Sequence, residues 1–349
     1  MSKFARVTTP YFATRVRSQS SVGLAFAVVA ILRSGFNAFG ALESHVAVGT
    51  AFPNVEGYFR SSWLHFSVWR VLGISQNWQA IVYGLVVTGS IFALAWLFVA
   101  SHRGDEDRLP TFVLLVMSPI SVILLQHLGI YDSLMILGAI ILVGSSSLMW
   151  MTAGATLLLG ANFELGVVAL LSLIVLSITD DVKLDRHKLY VSGLMGLVVS
   201  LVALIGWFGN FLGGDSRSSW LQQHLRGSLV NLAVSFPFMI LSFYGVAWLL
   251  VGGFIFRTST KKDLAIKAIA LVLLPGLAAA LTLDGTRVFV CASAPALFAI
   301  GLRSKRSISE YLPARLGWRH LLIVSVLVPA LMVHFGSVKL PYQILYGRL

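Results

Sequence analysis

Long blocks of Leu, Val, Ile, Ala and Phe alternate along this chain with short segments that carry most of its charge. In lipid every backbone polar group needs an internal partner, so uninterrupted apolar blocks predict membrane-crossing α-helices. The blocks lie near residues 21–41, 79–101, 111–126, 133–146, 147–161, 165–178, 189–208, 229–256, 268–283, 288–302 and 320–337. The three between 133 and 178 are short, each reaching about 20 Å at 1.5 Å per residue against a hydrocarbon core of ~30 Å. Either other helices enclose them, or two of them merge into a re-entrant pair. The expected fold class is all-α: a polytopic transmembrane helical bundle of about eleven helices, within a range of roughly nine to twelve. With no fixed-period repeat, low-complexity tract or appended polar region, residues 1–349 read as a single transmembrane domain.

Composition agrees. The chain is 57% hydrophobic and 11% charged, where soluble domains average roughly 45–50% apolar and 25% charged residues. The net charge of +12 does not point to nucleic acid, because it falls in alternate loops. With the N-terminus cytoplasmic, the inner segments 1–20, 102–110, the turn near 146, 179–188, 257–267 and 303–319 hold 18 of the 26 Lys and Arg residues. Outer segments hold Arg60, Arg70, Arg217, Arg226, Arg287, Lys339 and Arg348. This positive-inside bias predicts a C-terminus outside, in a membrane such as the bacterial cytoplasmic membrane. Lys3, Arg6, Arg15 and Arg17 precede the first block, which lacks a small-residue cleavage site and reads as a retained signal anchor. The lone Cys291 excludes an intramolecular disulfide and argues against a cysteine metal site.

Six acids, Glu43, Glu56, Asp132, Glu164, Asp215 and Asp284, fall outside or at outer helix ends. Asp132, Glu164 and Asp284 stand in short turns with little else polar: "HLGIYDS", "GANFELG" and "LDGTR". Ionisable groups near lipid face partners or water-filled cavities. These three therefore either converge on one cavity or act separately, Asp132 and Glu164 as helix caps and Asp284 as the partner of Arg287 three residues on. Glu43, at the end of the first block, is a candidate general base. Arg33 lies inside that block, held by an acid or a bound anion, or snorkelling.

In the first outer loop, Phe59, Trp63, Phe66 and Trp69 share a helical face, with Arg60, His65 and Arg70 largely elsewhere. That predicts an amphipathic helix at the membrane interface, serving either as an anchor or as a guide for a lipid-linked substrate. In the second outer loop Trp220 lies among Arg217, Gln222, Gln223, His224 and Arg226, a set that can stack on and hydrogen-bond a sugar. His127 near Asp132, and His334, are acid/base or carbohydrate-binding candidates, or hydrogen-bonded packing residues.

This combination resembles the GT-C-type polytopic membrane glycosyltransferases and the related bacterial polysaccharide (O-antigen-like) polymerases. It comprises a signal-anchor helix, a long first outer loop with an acid at its start and an amphipathic helix, short helices next, and an outer Asp–x–x–Arg turn from Asp284 to Arg287. The resemblance implies transfer of a sugar from a polyprenyl-phosphate or polyprenyl-diphosphate carrier. Membrane lipid and the lipid-linked glycan would be the partners, with no nucleic acid. Glu43, Asp132, Glu164 and Asp284 would supply the catalytic carboxylates. Arg33 and Arg287, assisted by Arg60, Arg217 or Arg226, would neutralise the phosphate, since a guanidinium makes bidentate contacts and stays charged. His127 and Trp220 complete the substrate-binding set. The first loop lacks the paired Asp–x–Asp or Glu–x–Glu of such enzymes, which leaves open whether a divalent cation takes part; no metal ligands are assigned.

A transporter or flippase for a lipid-linked or small anionic substrate is the alternative, although no halves of matching pattern are visible. An assembly subunit is a further one. His–Glu–x–x–His, Gly–x–Ser–x–Gly and Walker patterns are absent, which removes the common protease, hydrolase and nucleotide-binding motifs.

Overall fold

A computed structural model describes residues 10–36, 42–54, 57–208, 217–257, 260–282, 284–312, 318–334 and 337–339. The helices are α1 (Pro10–Ser34), α2 (Leu42–Ala51), α3 (Trp63–Leu72), α4 (Asn77–His102), α5 (Asp105–Val116), α6 (Pro119–Gln126), α7 (Asp132–Gly144), α8 (Leu148–Ala161) and α9 (Phe163–Ser177). They continue as α10 (Arg186–Phe208), α11 (Arg217–Tyr244), α12 (Trp248–Phe256), α13 (Lys261–Ala268), α14 (Leu274–Ala280), α15 (Gly285–Arg303), α16 (Ile308–Tyr311) and α17 (Trp318–Leu327). The class is all-α, with one small hairpin of β1 (Met332–His334) and β2 (Ser337–Lys339).

Among the described residues five stretches are long and apolar enough to cross a membrane: Asn77–His102, Arg186–Phe208, Ala233–Phe256, Lys261–Ala280 and Gly285–Arg303. A sixth forms if α5 and α6, bent by 45° at their junction, count as one broken span. The chain is a multi-pass membrane protein, and its described residues hold fewer full-length spans than the eleven apolar blocks suggested. The difference lies in the short blocks: α7, α8 and α9 have 13, 14 and 15 residues, about 20 Å each at 1.5 Å per residue.

Local chemistry explains the breaks. Between α5 and α6, Ser118 accepts the Ile120 N–H at 3.3 Å and Pro119 occupies the first helical position, which starts a new helix and stops the old one. Gly35 and Gly245 have left-handed φ of 65° and 52°; the first ends α1 before residue 41 and the second separates α11 from α12. The last block departs most from expectation. Pro329 follows α17 closely, and Met332–His334 pairs antiparallel with Ser337–Lys339 where a helix to residue 337 was expected.

Packing centres on α15, buried along almost its whole length against α7, α9 and α14. The short α7 and α8 cross closely because Gly138 and Gly154 face each other's backbones; a methyl at either would collide with the other helix. Enclosure by longer helices lets α7 remain shorter than a bilayer.

At one end of the bundle, cationic side chains take up the free carbonyls of helix C-termini. Arg103 is buried and donates to Ile300 O (2.7 Å), Gly301 O (2.6 Å), Ser304 O (3.0 Å) and Arg306 O (2.9 Å). Arg303 donates to Val143 O, Gly144 O and Ser145 O at 2.8–2.9 Å. Arg186 closes the end of α9 through Ser177 O (2.7 Å) and Ile178 O (3.1 Å), and Lys188 reaches Ser146 O at 3.1 Å. The fully buried Lys267 pairs with Asp181 and donates to Phe254 O at 3.0 Å. Segments expected on one side of the membrane thus meet at one end of the molecule.

Candidate functional site

The opposite ends of α7 and α15 carry the other charge cluster. Asp132 is the first residue of α7, Asp284 immediately precedes α15, and Arg287 lies in the first turn of α15. The two helices run parallel, N-terminus beside N-terminus, with Arg303 at the end of α15 bonded to the end of α7, and this brings all three together. Arg287 Nη1 lies 3.4 Å from Asp132 Oδ2, and Nε lies 2.5 Å from Asp284 Oδ2. Both carboxylates are buried. Neither caps its helix with a side-chain hydrogen bond, so their position serves the guanidinium. Arg287 Nη1 also donates to the Tyr131 hydroxyl at 3.4 Å and its guanidinium stands 5.7 Å from the Tyr131 ring centre. One turn further along α15, Cys291 lies against Asp132. Beside the cluster, Thr286 Oγ1 contacts Ser242 Oγ at 2.6 Å and accepts the Val333 N–H at 2.9 Å, fastening the hairpin to α11 and α15.

Two carboxylates around one guanidinium leave one formal negative charge. Such a triad can hold a hydroxyl and accept its proton. While both carboxylates are ionised it is a poor phosphate site, because the charge of Arg287 is already balanced.

The other expected site residues fall elsewhere. Glu43 and Glu164 are exposed in the first turns of α2 and α9 and join no ion pair among the described residues. The cap of α9 is Asn162, which accepts the Leu165 N–H at 3.1 Å, so Glu164 does not serve as that cap. Arg33 reaches neither a carboxylate nor the triad: it donates to Met117 O at 3.2 Å and Ser325 O at 3.0 Å, tying α1 to the α5–α6 junction and α17. Among the described residues two helix carbonyls take up its charge. Arg60 lies over the Phe208 ring at 5.6 Å, and Arg226 is exposed on α11. His127 is buried at the end of α6. Arg217 and Trp220 belong to the start of α11 and His334 to β1, but their side chains lie outside the described residues, as do Glu56 and Asp215.

The first outer loop also departs from expectation. Its helix exists as α3, preceded by a 3-10 turn over Gly57–Ser62, but the aromatic face turns inward. Trp63, Phe66 and Trp69 are buried in a second core with Leu42, Val46, Ile74, Ala80 and Leu204. The aromatic rings satisfy a protein surface instead of lipid, while Arg70, Val71 and Leu72 are exposed.

Inside that core lies His65, which the sequence reading placed largely off the aromatic face and gave no role. His65 is fully buried, with ring centres 4.4 Å from Trp69, 6.2 Å from Tyr83 and 6.2 Å from Tyr131. His45 is 6.3 Å from Tyr131. Burial, reinforced by His45, holds His65 well below the usual imidazole range, so the ring is neutral. The signal was present: His65 and Trp69 are four apart, hence on one helical face. Among the described residues no three His, Cys, Asp or Glu side chains are grouped to hold a metal ion. No protein-family model, curated protein or solved structure matches this chain.

Proposed function

We propose that this chain is a membrane glycosyltransferase or polysaccharide polymerase that uses a polyprenyl-phosphate- or polyprenyl-diphosphate-linked sugar. The observation that carries this reading is Arg287 held between two buried carboxylates from separate elements, beside an aromatic and histidine-lined core. In this reading the Asp132 end faces outward from a bacterial cytoplasmic membrane, with the N-terminus cytoplasmic.

The chemistry follows from charge. An acceptor hydroxyl hydrogen-bonds Asp132 or Asp284 and gives up its proton as its oxygen attacks the anomeric carbon. The bond from that carbon to the phosphate oxygen breaks, and the electron pair leaves with the polyprenyl phosphate or diphosphate. Proton uptake neutralises one carboxylate and releases half the hold on Arg287, whose charge then faces the departing phosphate. Base and electrophilic partner are thus coupled in one triad. Arg60 and Arg226 are the remaining candidates for a second phosphate contact.

The test is transfer of radiolabelled sugar from a polyprenyl-diphosphate donor to acceptor glycan by protein reconstituted in liposomes. Asp132→Asn and Asp284→Asn should each lower turnover by about two orders of magnitude or more, the scale of a lost general base, with normal expression. Label that crosses the bilayer still attached to its lipid, with no glycosidic bond broken, would instead mark a flippase; the bent α5–α6 pair is the feature that favours that reading.

A further inference from the structure

His65 has no solvent exposure, and among the described residues neither of its ring nitrogens has a hydrogen-bond partner. The same holds for the indole Nε1 of the fully buried Trp69 and for the Tyr83 hydroxyl. These groups are neighbours: Trp69 and Tyr83 ring centres are 6.3 Å apart, and each flanks His65. Tyr131, also beside His65, leads to Arg287 through its hydroxyl, which accepts from Arg287 Nη1. Leaving several buried polar groups unpaired in one spot is costly enough that folded proteins seldom do it without a ligand or ordered water.

The donor inventory selects the chemistry. Trp69 only donates, so its partner must accept; a neutral His65 offers one donor and one acceptor; Tyr83 offers both. A phosphate or carboxylate accepts only and leaves the acceptor nitrogen of His65 unmet. An ammonium donates only and leaves Trp69 unmet. A hydroxyl oxygen does both, and the rings of Phe66, Trp69, Tyr83 and Tyr131 around His65 supply apolar surface for the carbon skeleton that bears it.

We propose that His65, Trp69 and Tyr83 form a binding site for a hydroxyl group, one aromatic ring removed from the Arg287 triad. Under the transferase reading, on which the assignment of the hydroxyl to substrate rests, it belongs to the sugar being joined. Independently of that reading it is a tightly held water.

Cryo-electron microscopy of the full chain in lipid nanodiscs, with and without added polyprenyl-diphosphate-linked sugar, tests this. Density within hydrogen-bonding distance of His65 and Trp69 is expected in at least one map. A compact peak unchanged by the sugar identifies water, and a peak continuous with the sugar identifies substrate. Absence from both maps, with His65 and Trp69 bonded to protein groups, overturns the proposal. His65→Phe gives a second readout free of turnover. It should lower the thermal unfolding midpoint by several degrees if a bound hydroxyl is lost. An unchanged or higher midpoint, as expected for deleting an unsatisfied imidazole from an aromatic box, overturns the site. Failure of the transfer assay alone leaves the water outcome standing, so the two readings fail separately.

Discussion

Arg287 stands 3.4 Å from Asp132 across the α7–α15 contact and 2.5 Å from Asp284 three residues back on its own chain. The local pair alone would be an ordinary i,i+3 contact. The long-range pair makes it a junction between two helices that together form the centre of the bundle.

Arg287→Met leaves two buried carboxylates without their cation. Breaking a buried pair from one side costs roughly 3–5 kcal/mol. The triple variant Arg287→Met, Asp132→Asn, Asp284→Asn should recover part of that loss. Thermal unfolding in detergent checks the order; a triple variant no more stable than the single one refutes the charge argument.

Arg103 saturates four backbone carbonyls with one buried guanidinium. Arg103→Ala should cost about 3 kcal/mol or more, because each carbonyl loses a charge-assisted bond in a dry setting. Arg103→Lys should rescue little, since an ammonium cannot reproduce the fork. The same unfolding measurement distinguishes fork geometry from charge alone.

Lys267 is fully buried, whereas the side chain of Asp181 is 28% exposed. Their loss should therefore be unequal. Asp181→Asn strands an ammonium that water cannot reach and should cost several kcal/mol. Lys267→Met frees a carboxylate that turns to solvent and should cost about 1 kcal/mol. Equal losses would show that burial does not govern this pair.

His65 is neutral when folded and titrates near 6.5 when unfolded. Below that pH the unfolded chain binds a proton that the folded chain refuses, so stability is intact above pH 6.5 and falls as pH drops beneath it. The slope for one such group is at most ~1.4 kcal/mol per pH unit. In His65→Phe the midpoint should change less between about pH 7 and pH 5 than in the parent chain. An identical pH profile would refute this.

Sidedness is open to a labelling test. In a Cys291→Ser background, single cysteines at Ser146 and Glu164, both exposed, should react with impermeant thiol reagents from opposite sides of a vesicle. The native Cys291 is buried and should resist labelling.

The apolar blocks made most helices legible within a few residues, because hydropathy alone decides what lipid will tolerate. The triad was half legible. Asp284 and Arg287 announce each other by spacing, but only tertiary packing brings Asp132 to them, and nothing local separates Asp132 from Glu164. The carbonyl contacts of Arg33 were not legible, because a guanidinium serves a phosphate and a row of carbonyls equally well. The face of α3 was misjudged for a related reason: an aromatic stripe looks the same whether it meets lipid or protein. The strands after Pro329 were hidden by an apolar composition that suits either backbone form.

The guanidinium clamp joins the ends of α4, α7, α9, α10 and α15 at one end of the molecule, each arginine holding several backbone carbonyls that are themselves fixed in helix ends. The triad at the Asp132 end is joined by pairs of side chains, so both partners of each contact can swing. The bundle is mechanically like a bouquet tied at its stems. Under the proposed transferase reading, separation wide enough to admit a long prenyl chain belongs to the flower end, and movement there need not disturb the knot.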